Sequence, residues 1–174
     1  IMAVQDRETY TFKNLSRISI KGLETEVGLQ YADKLLLKGN LSYEKAVDMM
    51  ETKISDGKPN AAYKQQIPNR PSLYANINAS YTFRNLLGAD NKLRFEYDYQ
   101  YVKWFYLTWS TFGHKDSKSI IPTQNCHNLS ATFFWLDNRV SLECNNLFDQ
   151  LLYDNYKLQK PGRALFCKFR MFFN

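Results

Sequence analysis

Polar and apolar residues alternate along most of this chain. In Ser72 to Phe83, Leu73, Ala75, Ile77, Ala79, Tyr81 and Phe83 share one face, while Tyr74, Asn76, Asn78, Ser80 and Thr82 share the other. Period two is the period of a β-strand. The pattern returns in Arg17 to Tyr31, Leu35 to Val47, Lys92 to Trp109, His127 to Leu136, Arg139 to Asn145 and Gly162 to Phe173. Ile1 to Val4 reads as the tail of a strand begun earlier, and Thr9 to Phe12 as a short extended piece. Ile18 and Ile20 are out of phase with Leu23, Val27, Leu29 and Tyr31, so a bulge is expected at Lys21-Gly22. A helical turn through Tyr43 to Thr52 is a minor alternative to strand there.

About seven strands of roughly ten residues follow from this pattern, twice the usual strand of a soluble sandwich. They suit the 9 to 11 residues of a tilted membrane strand. The connections run short, long, short, long: 32–34, 84–91 and the turn Asp137-Asn138 against 49–70, 110–125 and 146–161. That is the habit of an up-and-down membrane barrel, with brief periplasmic turns and longer outer loops. Tyr81, Phe83, Trp135 and Phe173 then fall at the periplasmic interface. The expected fold is all-β, an antiparallel transmembrane barrel segment.

Composition agrees. The net charge of +6 is scattered, with no basic run, which argues against a nucleic-acid partner. Aromatic residues make up 16% of the chain, and no apolar run is long enough for a membrane helix. The three cysteines form no C-x-x-C motif, and His114 and His127 stand apart, so no metal or cofactor is expected. Glu24 with Glu26, and Glu96 with Asp98, pair on polar faces. They read as a wet barrel wall rather than an acid–base catalyst, and no nucleophile motif suggests an enzyme. Trp104 and Tyr106, where a strand enters an outer loop, continue the polar face and are the candidate ligand contacts; Trp109 falls on the lipid face. Lys103 falls there too, at the height of the outer headgroups, where it can meet lipopolysaccharide phosphates.

The last two strands carry an expected register. Counting inward from the ends Arg139 and Phe173, Val140 is expected to meet Met171 and Leu142 Phe169, so that Cys144 faces Cys167 and Glu143 faces Lys168, and the thiols stay free.

Some stretches resemble a known family. Asn146-Leu147-Phe148-Asp149, Tyr153-Asp154-Asn155-Tyr156 and Pro161-Gly162-Arg163 before an aromatic-ended strand resemble the C-terminus of TonB-dependent outer-membrane receptors. Ile20-Lys21-Gly22-Leu23-Glu24-Thr25-Glu26 and Ile67-Pro68-Asn69-Arg70-Pro71 are similar as well. The family usually stops on an aromatic residue, whereas here Asn174 follows Phe173. The resemblance implies the C-terminal part of a 22-stranded barrel with a plugged lumen, residues 1–174 being barrel. The plug domain and TonB-contacting segment would lie outside this chain. It implies active uptake of a scarce ligand (ferric siderophore, haem, cobalamin or glycan) across the bacterial outer membrane, energised through TonB. The partners would be outer-membrane lipid and lipopolysaccharide, the receptor's own plug, the TonB complex and the ligand. A plug-less diffusion porin or adhesin is the alternative, and a soluble β-barrel binding module a third.

Overall fold

The computed structural model describes residues 2–6, 9–13, 17–53, 56–86, 88, 90–109 and 120–172. The strands in chain order are β1 (Met2–Asp6), β2 (Thr9–Lys13), β3 (Ile18–Tyr31), β4 (Leu35–Asp48), β5 (Leu73–Arg84), β6 (Asn91–Val102), β7 (Phe105–Tyr106), β8 (Ile120–Ile121), β9 (Gln124–Trp135), β10 (Asn138–Asn145) and β11 (Ala164–Arg170). Among the described residues, seven of them form one sheet in the order β11-β10-β9-β6-β5-β4-β3. Every neighbour is antiparallel. The sheet is open, with β3 and β11 at its edges. β1 and β2 pair with each other rather than joining it, as do β7 and β8.

Alternation sorts the sheet into two unlike faces. One row of directly paired residues runs Leu29, Leu37, Ala79, Tyr97, Leu129, Cys144 and Leu165. The row beside it, on the other face, runs Gly28, Lys38, Asn78, Asp98 and Asn128. The apolar face is uncovered: Val27 is 71% exposed, Leu142 61% and Leu165 78%. The buried hydrophobics, Ala46, Ala62, Ile67, Phe105, Ile121 and Leu152, lie where loops fold over the long-loop end of the sheet. A soluble domain hides such a face in its core, so this one is built to meet lipid. At the short-turn end it carries a belt of rings. Tyr81 and Phe83 stand 4.7 Å apart, Phe83 and Phe95 6.1 Å, Phe133 and Trp135 5.7 Å, and Trp135 and Phe169 6.0 Å. Tyr81, Phe83 and Trp135 thus sit as the pattern predicts, while Phe173 lies outside the described residues.

Several local expectations are corrected. β3 pairs with β4 without a break from Ile18↔Asp48 to Tyr31↔Leu35, so there is no bulge at Lys21-Gly22. Ile18 and Ile20 therefore share the polar face with Glu24. Above the hydrocarbon the outward face need not be apolar, so the phase of the pattern changes while the backbone continues straight. The strand expected through Trp109 breaks after Val102, and pairing resumes briefly in the same register, with Phe105↔Ile121 following Val102↔Gln124. The tight turn is Leu136-Asp137, one residue earlier than expected, with Asn138 paired to Trp135 and Leu136 at φ 51°. Tyr43 to Asp48 is strand rather than helix.

The last register is also corrected. Leu142 faces Cys167, Cys144 faces Leu165 and Glu143 faces Phe166. The expectation set Val140 against Met171, whereas Val140 pairs with Phe169. β11 overshoots, and the Phe172 N–H donates to Asn138 Oδ1 at 3.0 Å. Lys168 still reaches Glu143 at 2.7 Å, because a diagonal neighbour lies within range of a long side chain. Cys144 and Cys167 are free thiols, as expected.

The connection from β10 to β11 shows why its residues are what they are. Asn146, 3% exposed and at φ 52°, receives the Gln150 N–H on Oδ1 and donates Nδ2–H to the Gln150 carbonyl, both at 2.9 Å. Its own N–H donates to Asn128 Oδ1 at 3.0 Å. Asp149 Oδ1 takes the Arg163 N–H at 2.7 Å. A Cβ on Gly162 would stand 2.6 Å from that same oxygen and would push the carboxylate off the Arg163 N–H. Asn146→Ala should remove two hydrogen bonds and put alanine at a positive φ. We expect a loss of about 2 kcal/mol, read from denaturant unfolding of the full-length receptor in detergent.

Candidate functional site: a polar wall beneath an aromatic rim

The polar face carries the groups a solute would meet. Much of it is bonded sideways to itself. Asn76 donates to Asn40 at 2.9 Å, Asn78 to Asp98 at 2.6 Å and Arg94 to Thr82 at 3.3 Å, while the Thr132 and Ser141 hydroxyls lie 2.9 Å apart. Glu96 stands 3.9 Å from Arg94. The carboxylates singled out in the sequence therefore fall into a wall. Asp98 is held by Asn78, and Glu24 lies across from Ser42.

Near the long-loop end this wall opens into a cleft of about 730 Å³. Its lining comes from three segments: Ile20 and Glu24 of β3, Glu44 of β4, and Arg70 and Tyr74 from the loop before β5 and its start. Arg70 bonds both Glu44 oxygens at 2.9 Å. Gly22 lies at the floor, where a Cβ would come within 2.6 Å of the Tyr43 carbonyl oxygen. This cleft is not legible along the chain, because Glu44 and Arg70 are far apart in it. The only hint was Gly22 inside an otherwise regular strand.

An aromatic pair adjoins the loop that lines this cleft. Trp104 and Tyr106 meet edge to face at 5.4 Å, with Trp104 44% exposed. Between them Phe105 points the other way, 4% exposed, paired with the fully buried Ile121. The Asn69 N–H donates to the Tyr106 carbonyl at 2.6 Å, tying this rim to the loop that supplies Arg70. The loop itself is ordered by Asp48, 4% exposed, whose carboxylate accepts the Met50 N–H at 2.8 Å and Asn60 Nδ2–H at 3.1 Å. Trp109 lies half-buried past β7, outside any strand, and His114 lies outside the described residues. His127 is on the apolar face, where the Tyr97 hydroxyl meets its Nδ1 at 2.7 Å and Tyr99 and Phe148 pack on its ring.

A lipid-facing sheet with a polar inner wall is the architecture of an outer-membrane barrel. Residues 1–147 match the family described as TonB dependent receptor-like, beta-barrel. The chain belongs to this family. No curated protein matches it. The TonB-dependent receptors are outer-membrane receptors and transporters, and Asp98, bonded to Asn78, and Glu96, near Arg94, sit in that polar wall. The matched span ends at Leu147. It includes Ile20 to Glu26 and Ile67 to Pro71 but only the first two residues of Asn146 to Asp149. Those C-terminal motifs rest on the turn geometry described above.

Proposed function

We propose that this chain is the C-terminal part of a TonB-dependent receptor that takes up a scarce ligand in bulk too large for a diffusion pore: a ferric siderophore, haem, cobalamin or a glycan. A plug domain supplied by the rest of the protein closes the lumen, and energy comes through TonB. The observation that supports this reading most is the Trp104–Tyr106 ring pair, tied through the Asn69 N–H to the loop that lines a polar cleft. Rings at the rim offer stacking surface to an aromatic or sugar group. The cleft offers Glu24, the Arg70–Glu44 pair and Tyr74 as hydrogen-bonding groups.

Two measurements test the reading on cells making the full-length receptor. Ligand uptake should stop when the proton gradient is collapsed or TonB is deleted, while binding at the surface persists. Uptake that continues unchanged identifies a passive pore. Trp104→Ala together with Tyr106→Ala should weaken surface binding roughly tenfold, about 1.4 kcal/mol. Unchanged binding would move the ligand contacts elsewhere on the rim.

A further inference from the structure

We propose that the outward face of β3 and β4 holds the phosphate of an outer-leaflet lipid between Lys21 and Lys45. The inference rests on the reading of that face as lipid-facing.

The unbroken pairing of β3 with β4 puts Lys21 directly opposite Lys45. Both share the face of Leu23 and Tyr43, the next directly paired residues. Opposed residues on neighbouring strands have Cβ atoms only about 4.5–5.5 Å apart, and like charges there repel. Neither ammonium has a hydrogen-bond or ion-pair partner among the described residues. The carboxylates closest along these strands, Glu24 and Glu44, are on the opposite face, and Glu44 is held by Arg70. An anion seated between the two ammonium groups would remove that repulsion and bond to both.

Its height says which anion. Lys21 lies ten residues up β3 from Tyr31, which ends the strand at the short turn. That is roughly 33 Å along the strand, or about 23 Å up a wall tilted by about 45°. The apolar band of such barrels is about 25 Å tall. The two lysines therefore stand at its upper edge, where the phosphates of the outer leaflet lie, directly above the apolar pair Leu23 and Tyr43. Lys103 extends the same ladder: its N–H donates to the Leu73 carbonyl at 3.0 Å, and Leu73 is paired with Tyr43. It is two strands over and two residues lower than Lys45, roughly 12 Å away by strand and residue spacing. A headgroup with two phosphates can bridge that gap. The acyl chains would then run down the uncovered apolar face.

The test uses the full-length receptor in detergent with three probes: bis-phosphorylated lipid A, its dephosphorylated form, and inorganic phosphate. The readouts are melting temperature and lipid retained per receptor by native mass spectrometry. Lipid A should raise the melting temperature of the wild type, and the other two probes should not. Lys21→Gln with Lys45→Gln should bind lipid A at least about tenfold more weakly, while Lys38→Gln on the inner wall should behave as wild type. Lys45→Glu is the second variant. It gives Lys21 an ion-pair partner, so it should melt no lower than wild type without lipid A and lose the response to it. Equal lipid retention by these variants overturns the proposal. So does an equal shift with the dephosphorylated lipid, or with inorganic phosphate. A receptor that fails to fold as a heat-modifiable barrel in any lipid would instead overturn the membrane reading itself.

Discussion

Expressed without the rest of a barrel, this segment should fail to give a monodisperse monomer in plain buffer. Two causes act together. β3 and β11 present open edges of 14 and 7 residues, each a row of backbone N–H and C=O groups without partners. The face between them exposes Leu23, Val27, Leu29, Leu142, Leu165 and Phe169, each more than half accessible. Edges invite pairing with another copy, and the face invites collapse onto it. Detergent covers the face but leaves the edges, so even in micelles mixed oligomers are expected. Size-exclusion chromatography with light scattering reads the result. A single monomeric peak without detergent would require the apolar face to be packed in a core, and would sink the barrel assignment.

The second large effect separates the two faces at one height. Leu129→Arg in the full-length receptor should cost about 2–4 kcal/mol, since a cation at mid-membrane on the lipid face has no partner there. Ser130→Arg, one residue on, should cost almost nothing. Ser130 faces Glu96 on one side and Glu143 on the other, so the new cation lands between two carboxylates. Denaturant unfolding in liposomes measures both. Equal costs would mean that the faces are not what the alternation says.

The contrast between these neighbours was legible in the sequence, and the reason is simple. Side chains in a strand alternate by geometry, so the apolar face and the seven strands can be read directly from period two. Register cannot be read that way. It depends on how each loop closes, and the β10–β11 loop closes through Asn146, Asp149 and Gly162, whose contacts span up to eighteen residues. The expected register of β10 and β11 was therefore off by two residues. The supposed bulge at Lys21-Gly22 failed for a different reason. The apolar pattern tracks the membrane, not the backbone, and β3 outlasts the membrane. β6 ends at Val102 only for a short break, since Phe105↔Ile121 resumes the register of Val102↔Gln124, and alternation along one strand does not show such a gap. Trp104 and Tyr106 could be named from their types and place. Their contact, and the cleft, needed segments brought together by folding.

The sideways bonds of the inner wall have a mechanical consequence. Asn40 with Asn76, Asn78 with Asp98, Thr82 with Arg94 and Thr132 with Ser141 already spend their directional bonds on one another. Anything that slides past such a wall exchanges loosely held water and breaks few strong links, so the wall acts as a lubricated sleeve. Friction would concentrate where polar groups are left over, at the Glu24 and Tyr74 end near the mouth.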